Sequence, residues 1–474
     1  MLGLGVYLAL AGGPVWAGDV APTEIGRVGT VAGPVQIAAG GAEWSDALVN
    51  EPAAAGTGLR SATDAETGLS LPGARLALAA AGELKILRLD RDVVQIAVIK
   101  GRIGVHLDAT ARIAELDLPR GGVWLAAPGD YDIAAGDAQT PARVEVFAGK
   151  ALVGGGLGAE NLVAAASDTF SDWWRSQSAD AESAAVRRLA PDIVGAAALD
   201  GGGSWKADPT YGEVWYPQGL SEDWAPYRDG VWRFLPPSGW TWVDNAAWGF
   251  APSHYGRWAR IDNHWAWVPP PPRSEPEYSP AAVAFLGTAP IGLSCPGNMG
   301  PAVAWFPLAP GETIGDGNDE NYRNRRFASA VPRAVFAAGR AVAPSLVDLP
   351  EQRFADAPVI LGPLGIPPAK AELVASSAKK PAIIAVAAMA GSALKKRLVV
   401  ALAAVTPKPK PVVSLAARKP VLARLHAAGP SPLRKRLTMA AAALVVRPRA
   451  APSTSAIHPT HNRQHLAAAR GGAL

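Results

Sequence analysis

Six tryptophans recur at fixed spacing in the middle of the chain: Trp232, Trp240 and Trp242 in APYRDGVWRFLPPSGWTWV, then Trp258, Trp265 and Trp267 in APSHYGRWARIDNHWAWV. Both segments reduce to A-P-x3-G-x-W, six or seven residues, then W-x-W-V, and the copies lie 26 residues apart. Flat aromatic faces stack on sugars or peptide at low conformational-entropy cost, so an exposed set of these six rings would form a binding platform. The competing use is burial. A segment with few aliphatic side chains needs tryptophan to build a core, and each ring can bury about 150 to 250 Å². Ten of the sixteen tryptophans fall between Trp205 and Trp267, a density that favours burial for most of them.

Other chemistry finds less support. Glu213, Glu222, Asp223, Asp244 and Asp262 could supply the acid and base of sugar hydrolysis, but acidic residues beside turns are more often turn formers or solvated groups. His254 and His264 occupy different places in the two copies, which argues against a duplicated metal ligand. His458, His461 and His465 have i, i+3, i+7 spacing, yet Pro459 interrupts the helix that spacing requires. Cys295, the single cysteine, sits in IGLSCPGNMG with no base beside it and excludes an internal disulfide. GGAEW and GGGSW lack the strand, helix and lysine of a phosphate loop. No catalytic residue, metal site or cofactor is expected.

The elements that position the tryptophans follow from their period. In a strand, W-x-W places both rings on one face. Gly230 with Trp232, and Gly256 with Trp258, then lie on a preceding strand, with Pro236 to Gly239 or Asp262 and Asn263 in the turn, giving a duplicated aromatic hairpin. Upstream, Val94, Ile96 and Val98, then Ile103, Val105 and Leu107, alternate with period two. Turn signals about every ten residues imply an all-β sandwich, roll or short solenoid. Gly154 to Leu162 reads as a Gly-rich linker, and Ser171 to Leu189 as one amphipathic helix ended by Pro191.

The ends set compartment and charge. Leu2 to Ala17 is apolar and uncharged, and Val15-Trp16-Ala17 fits a signal-peptidase site, so a signal peptide over 1–17 and a periplasmic or secreted protein starting at Gly18 are expected. From Leu373 onward there are seventeen Lys and Arg and no Asp or Glu, against 28 basic and 41 acidic groups in the rest. With its alanine and proline (PKPKP, RPRA), 331–474 reads as a low-complexity tail, disordered or partly helical, drawn to an anionic surface. For an exported chain that surface is envelope phosphate or lipid head group and not nucleic acid.

GTVAGPV at Gly29, Trp44 followed by ALVNEP, GLRSAT at Gly58, LSLPGARLAL at Leu69, IKGRIGVHL at Ile99, and then PGDYDI and VFAGKALV together resemble the FecR-like domain over 25–153. The resemblance implies a periplasmic β-domain. In membrane-bound members that domain receives a signal from an outer-membrane transporter, but the cytoplasmic helical segment and spanning helix of that role are not recognised here. LDGGGSW at Leu199, YGEVWYP, DWAPYRDGVW, GWTWVD, AWGFAPSHYGRW and AWFPLAPGE resemble the uncharacterised Trp-rich domain that accompanies FecR-like domains, over 198–330.

The expected architecture is therefore mainly β: an N-terminal all-β domain, a short linker with helix over 154–197, a Trp-rich hairpin domain and the basic tail. The expected function is non-enzymatic, an envelope protein that binds or scaffolds an envelope protein or polysaccharide, with a role in envelope signalling. The alternative is a cell-wall glycan-binding or glycan-hydrolysing protein that uses the Trp-rich module.

Overall fold

The computed structural model describes residues 24–368, with interruptions at 109–111, 179–182, 191, 237, 273–275, 288–292, 298, 315–321, 361 and 363–365. The signal segment over 1–17 and the tail from Leu373, with His458, His461 and His465, lie outside the described residues. The protein is mainly β. Among the described residues no helix is long and apolar enough to cross a membrane.

Between Gly26 and Ala164 the chain forms two eight-stranded sheets that share one core. The alternation seen in the sequence is the cause: Ile96, Val98, Ile103 and Val105 all point inward and are buried. Runs of one or two strands pass from one sheet to the other, so the chain winds around the core. One such passage turns at Gly101, φ +88°, where a Cβ would stand 2.7 Å from the Gly82 Cα, so only glycine fits.

Two boundaries differ from the sequence reading. Leu162–Ala164 pairs in parallel with Arg143–Val146, so the expected linker supplies an edge strand and the β-domain runs to Ala164. The single helix expected over Ser171 to Leu189 is two, Thr169–Ser178 and Ala184–Arg188. The Ser183 side chain accepts from the Val186 N–H and starts the second one afresh.

The aromatic module contains three hairpins. Gly203–Asp208 pairs with Gly212–Pro217, Gly230–Leu235 with Gly239–Asp244, and Arg257–Ile261 with His264–Val268. The first and third join in one four-stranded sheet through the pair Trp215–Trp267. The third turns on Asp262 and Asn263, φ +47° and +63°, the two left-handed residues that suit the strand twist of a two-residue hairpin.

A further sheet is built on Val283–Leu286 and Pro301–Pro307 and extends past the boundary set at 330. Ser329–Pro332 and Val359–Ile360 are strands of it, and Phe336, Val342, Leu349 and Phe354 are buried. The alanine and proline content of 331–360 concealed apolar side chains that close two cores, Phe336 and Val342 in the aromatic one and Leu349 and Phe354 in a second one on this sheet.

One buried residue joins the two parts. Asn50, at φ +68°, accepts from Arg27 Nη1 at 2.7 Å and donates to the carbonyls of Asp244 at 3.0 Å and Ala246 at 2.7 Å. Its amide is therefore satisfied entirely inside the protein, on one side by the β-domain and on the other by the loop after the second hairpin.

Candidate functional site

The six repeat tryptophans come together, but inward. Trp232, Trp242, Trp258, Trp265 and Trp267 are buried in one cluster, and Trp240 is half-buried against it. Trp232 lies opposite Trp242, and Trp258 opposite Trp267. Two positions after the leading ring the copies differ: Phe234 faces Trp240, while Arg260 faces Trp265 and sets its guanidinium 5.3 Å from that ring centroid.

The glycine of G-x-W makes room for the facing ring. A Cβ on Gly230 would stand 2.6 Å from the Trp242 ring, and one on Gly256 would stand 2.8 Å from Trp267 Nε1. Gly203, Trp205 and Trp215 repeat the arrangement in the first hairpin, where a Cβ on Gly203 would meet the Trp215 ring at 2.6 Å. An exposed stacking platform needs a face open to solvent, and the five buried rings have none. The indole N–H groups of four rings are partnered within the protein as follows: Trp215 to Leu199 O at 3.1 Å, Trp242 to Asp244 Oδ2 at 2.9 Å, Trp258 to Pro252 O at 3.1 Å and Trp267 to Tyr255 O at 2.8 Å, whereas Trp205 Nε1 and Trp232 Nε1 are buried without a partner among the described residues.

The five carboxylates named from sequence have separate surroundings. Glu213 pairs with Arg188 at the surface, Asp262 forms the third hairpin's turn, and Asp223 and Glu222 are exposed. Asp244 is buried, accepting from Trp242 Nε1 and from the Ala246 N–H, each at 2.9 Å. Burial raises its pKa to about 7 and lowers that of His254 to about 4. His254 is enclosed by Phe250 and Tyr278, with Nδ1 2.8 Å from the Ser279 carbonyl. Cys295 is buried and free. Among the described residues no group of three metal-ligating side chains occurs.

The convergent polar groups are elsewhere, on the outer face of the first β-domain sheet. Arg27, Ser70, Arg75, His106 and Asp130 lie opposite one another on five consecutive strands and form a row. His106 Nδ1 is 2.7 Å from Asp130 and Nε2 is 3.2 Å from Asp108, which also takes Arg75 Nη2 at 2.7 Å. The hydrogen bonds to Asp108 and Asp130 raise the His106 pKa to about 9, so the ring is a cation at neutral pH. Against the cost of burial, the His106 hydrogen bond and the Arg75 charge hold Asp108 below its ordinary value.

This row floors an open cleft of about 1190 Å³, walled by the helix carrying Trp173 and Arg175 and by the segment from Ile193 to Ala198. The helix is seated by Trp174, which lies on Gly104, where a Cβ would come within 2.4 Å of the ring, and which donates from Nε1 to Asp132 at 3.2 Å. That seating carries Arg175 to the cleft with its guanidinium 4.6 Å from the Phe147 ring centroid. No part of this row was singled out in the sequence, because positions 27, 70, 75, 106 and 130 meet only through register. The one local signal was His-x-Asp at the end of IGVHLD.

No curated protein and no solved structure matches the chain. Residues 196–312, which include all three aromatic hairpins, match a family of unknown function (DUF6600).

Proposed function

We propose that this is a non-enzymatic exported envelope protein, in which a FecR-like β-domain and an aromatic module form one binding body. The observation that supports the reading is the closed aromatic core. The rings that could have stacked on glycan pack on each other and against the loop that Asn50 grips, while the nearby carboxylates are dispersed over a core position, a turn and surface positions. Glycoside hydrolysis needs two carboxyls facing one bond, about 5 to 10 Å apart. The tryptophans thus build and fix the module, and binding falls to the β-domain cleft and to the basic tail from Leu373, with envelope signalling as the setting.

The test is co-sedimentation of the full chain with anionic-lipid vesicles and with cell-wall sacculi across a salt series, alongside an assay for reducing ends released from the sacculi. The expected result is capture whose salt-sensitive part disappears when the chain is cut before Leu373, with no release of sugar. Released reducing ends would establish the hydrolytic reading instead, and absence of capture at every salt concentration would overturn the binding reading.

A further inference from the structure

We propose that the cleft over the Arg75–His106–Asp130 row binds an organic anion with an apolar body, its charged head held by Thr30, Arg75 and Arg175. The inference deepens the binding reading by naming a site and a ligand class, and it rests on that reading only for the premise that the protein binds rather than transforms its ligand.

Three observations converge on it. The first is charge. Five basic side chains line the cleft, Arg27, Arg75, His106, Arg175 and Arg187, against two carboxylates, Asp108 and Asp130. Both carboxylates are already engaged by His106, and Asp108 also by Arg75, so the surplus is positive and faces a partly enclosed space, where a potential acts more strongly than on open surface.

The second is a set of unspent polar atoms. Arg75 Nε, Arg175 Nε and Thr30 Oγ1 are buried with no hydrogen-bond partner, and all three residues line this one cleft. Buried polar groups are almost always satisfied, and an unsatisfied one costs about 1–3 kcal/mol. Three at one site fit an acceptor that arrives from outside, which a head-group oxygen supplies.

The third is how Thr30 comes to be there. Pairing between Gly26–Ala32 and Glu66–Leu71 shifts register between Val28 and Thr30. Val28 is buried in the core, and in an uninterrupted strand Thr30 would follow it inward. The irregularity at Gly29 re-aims Thr30 outward to sit opposite Gly68, where a Cβ would lie 2.7 Å from Oγ1. Bulges of this kind are concentrated beside functional sites because they redirect a side chain.

The apolar body follows from the walls. Pro72, Trp173 and Val194 face the same space, and about 1190 Å³ exceeds what an inorganic anion fills. The shared chemistry is an anionic head on a short apolar chain, and phosphate and carboxylate heads are separated by experiment.

The experiment is calorimetric titration of the full chain with octyl phosphate and with octanoate, next to inorganic phosphate and octanol, in wild type, Thr30→Val and Arg175→Gln. Both variants are checked by thermal melting. Thr30→Val removes a hydroxyl that satisfies nothing inside the protein, so a purely structural Thr30 predicts unchanged binding. The proposal expects one or both of the octyl anions to bind, and octanol and inorganic phosphate to bind about 10-fold more weakly or worse. Each variant should lose about 10-fold in affinity while its melting temperature stays within a few degrees of wild type. Octanol binding as tightly as the octyl anions would overturn it. So would anion binding unchanged in both variants, which would place the anion on the basic tail. If vesicles or sacculi are captured but neither octyl anion binds, the site assignment fails and the binding reading stands.

Discussion

Trp232 and Trp242 face each other across the second hairpin with ring centroids 5.5 Å apart and planes inclined by 68°. The edge-to-face arrangement is the favoured one for aromatic pairs, and the pair extends to Trp305, whose centroid is 5.4 Å from that of Trp232. Trp305 in turn donates from Nε1 to the Tyr227 carbonyl at 3.1 Å. The hairpin is therefore clamped from a strand some seventy positions downstream, and the rings serve the fold before any ligand.

Trp242→Ala should cost about 3–5 kcal/mol, read as a large fall in the denaturation midpoint of the full chain. Gly230→Ala should be comparably damaging, since its Cβ would stand 2.3 Å from the Val243 carbonyl oxygen as well as against the Trp242 ring. Gly201→Ala, with nothing within 4 Å of the new Cβ, should be neutral and serves as the control. A Gly230→Ala protein as stable as the control would refute the idea that glycine opens the space for the ring.

Asn50 holds the β-domain and the aromatic module together, so heat should unfold them in one transition. Asn50→Gly keeps the left-handed backbone and deletes only the side-chain bonds, at a cost of about 1–3 kcal/mol per buried group left unpaired. Calorimetry should show the single endotherm broaden or split. A sharp single endotherm in Asn50→Gly would mean that the coupling lies elsewhere in the interface.

Two buried groups in the aromatic module push stability in opposite directions with pH. Asp244 ionises near 3.8 when unfolded and near 7 when folded, so the native state holds an extra proton between those values and stability falls as pH rises. His254 titrates near 6.5 unfolded and near 4 folded, so the native state lacks a proton there and stability falls as pH drops. From about pH 4 to 6.5 the slopes, each about 1.4 kcal/mol per pH unit, oppose one another. Denaturation at pH 4.5, 5.5 and 6.5 should be nearly flat from these two groups. The profile should tilt downward with pH in His254→Phe and upward in Asp244→Asn. Identical profiles in all three proteins would sink this account.

His106 acts in the β-domain. Its folded pKa of about 9 lies above the unfolded 6.5, so its contribution is complete below pH 6.5 and is lost as pH rises through 9. His106→Gln should remove the part of the alkaline destabilisation that falls between those values. The histidine ring resonances followed by NMR would locate the titration directly, and a His106 ring that titrates at its ordinary value would contradict the ion-pair geometry.

The second and third hairpins were legible because W-x-W has the period of a strand and the turns carry Pro, Gly, Asp and Asn. The first was hidden, although Trp205 and Trp215 have the same separation as Trp232 and Trp242. Glu213 stands where the other copies carry the first ring of W-x-W, so only half of the motif remained. Burial was readable as a density of rings, whereas which rings meet was not, since Trp305 and Phe336 enter from segments with no repeat. The cleft was illegible for a different reason. Its row takes one residue from each of five strands, and register across a sheet is set by the whole hydrophobic pattern.

Each aromatic hairpin brings a leading ring, the ring that answers it and the glycine that keeps the space between them. The second stands as its own two-stranded sheet, and the first and third meet through one residue pair. Such a unit depends little on the strand beside it for its own closure. A gene segment encoding one could be copied in tandem, or moved into another loop of the same module, and each copy would arrive with its facing ring pair and the glycine between them, leaving its outer ring faces to be covered by segments such as the one that carries Trp305. The positions that face the first ring of W-x-W, an exposed Phe234 in one copy and a half-buried Arg260 in another, are then free to diverge.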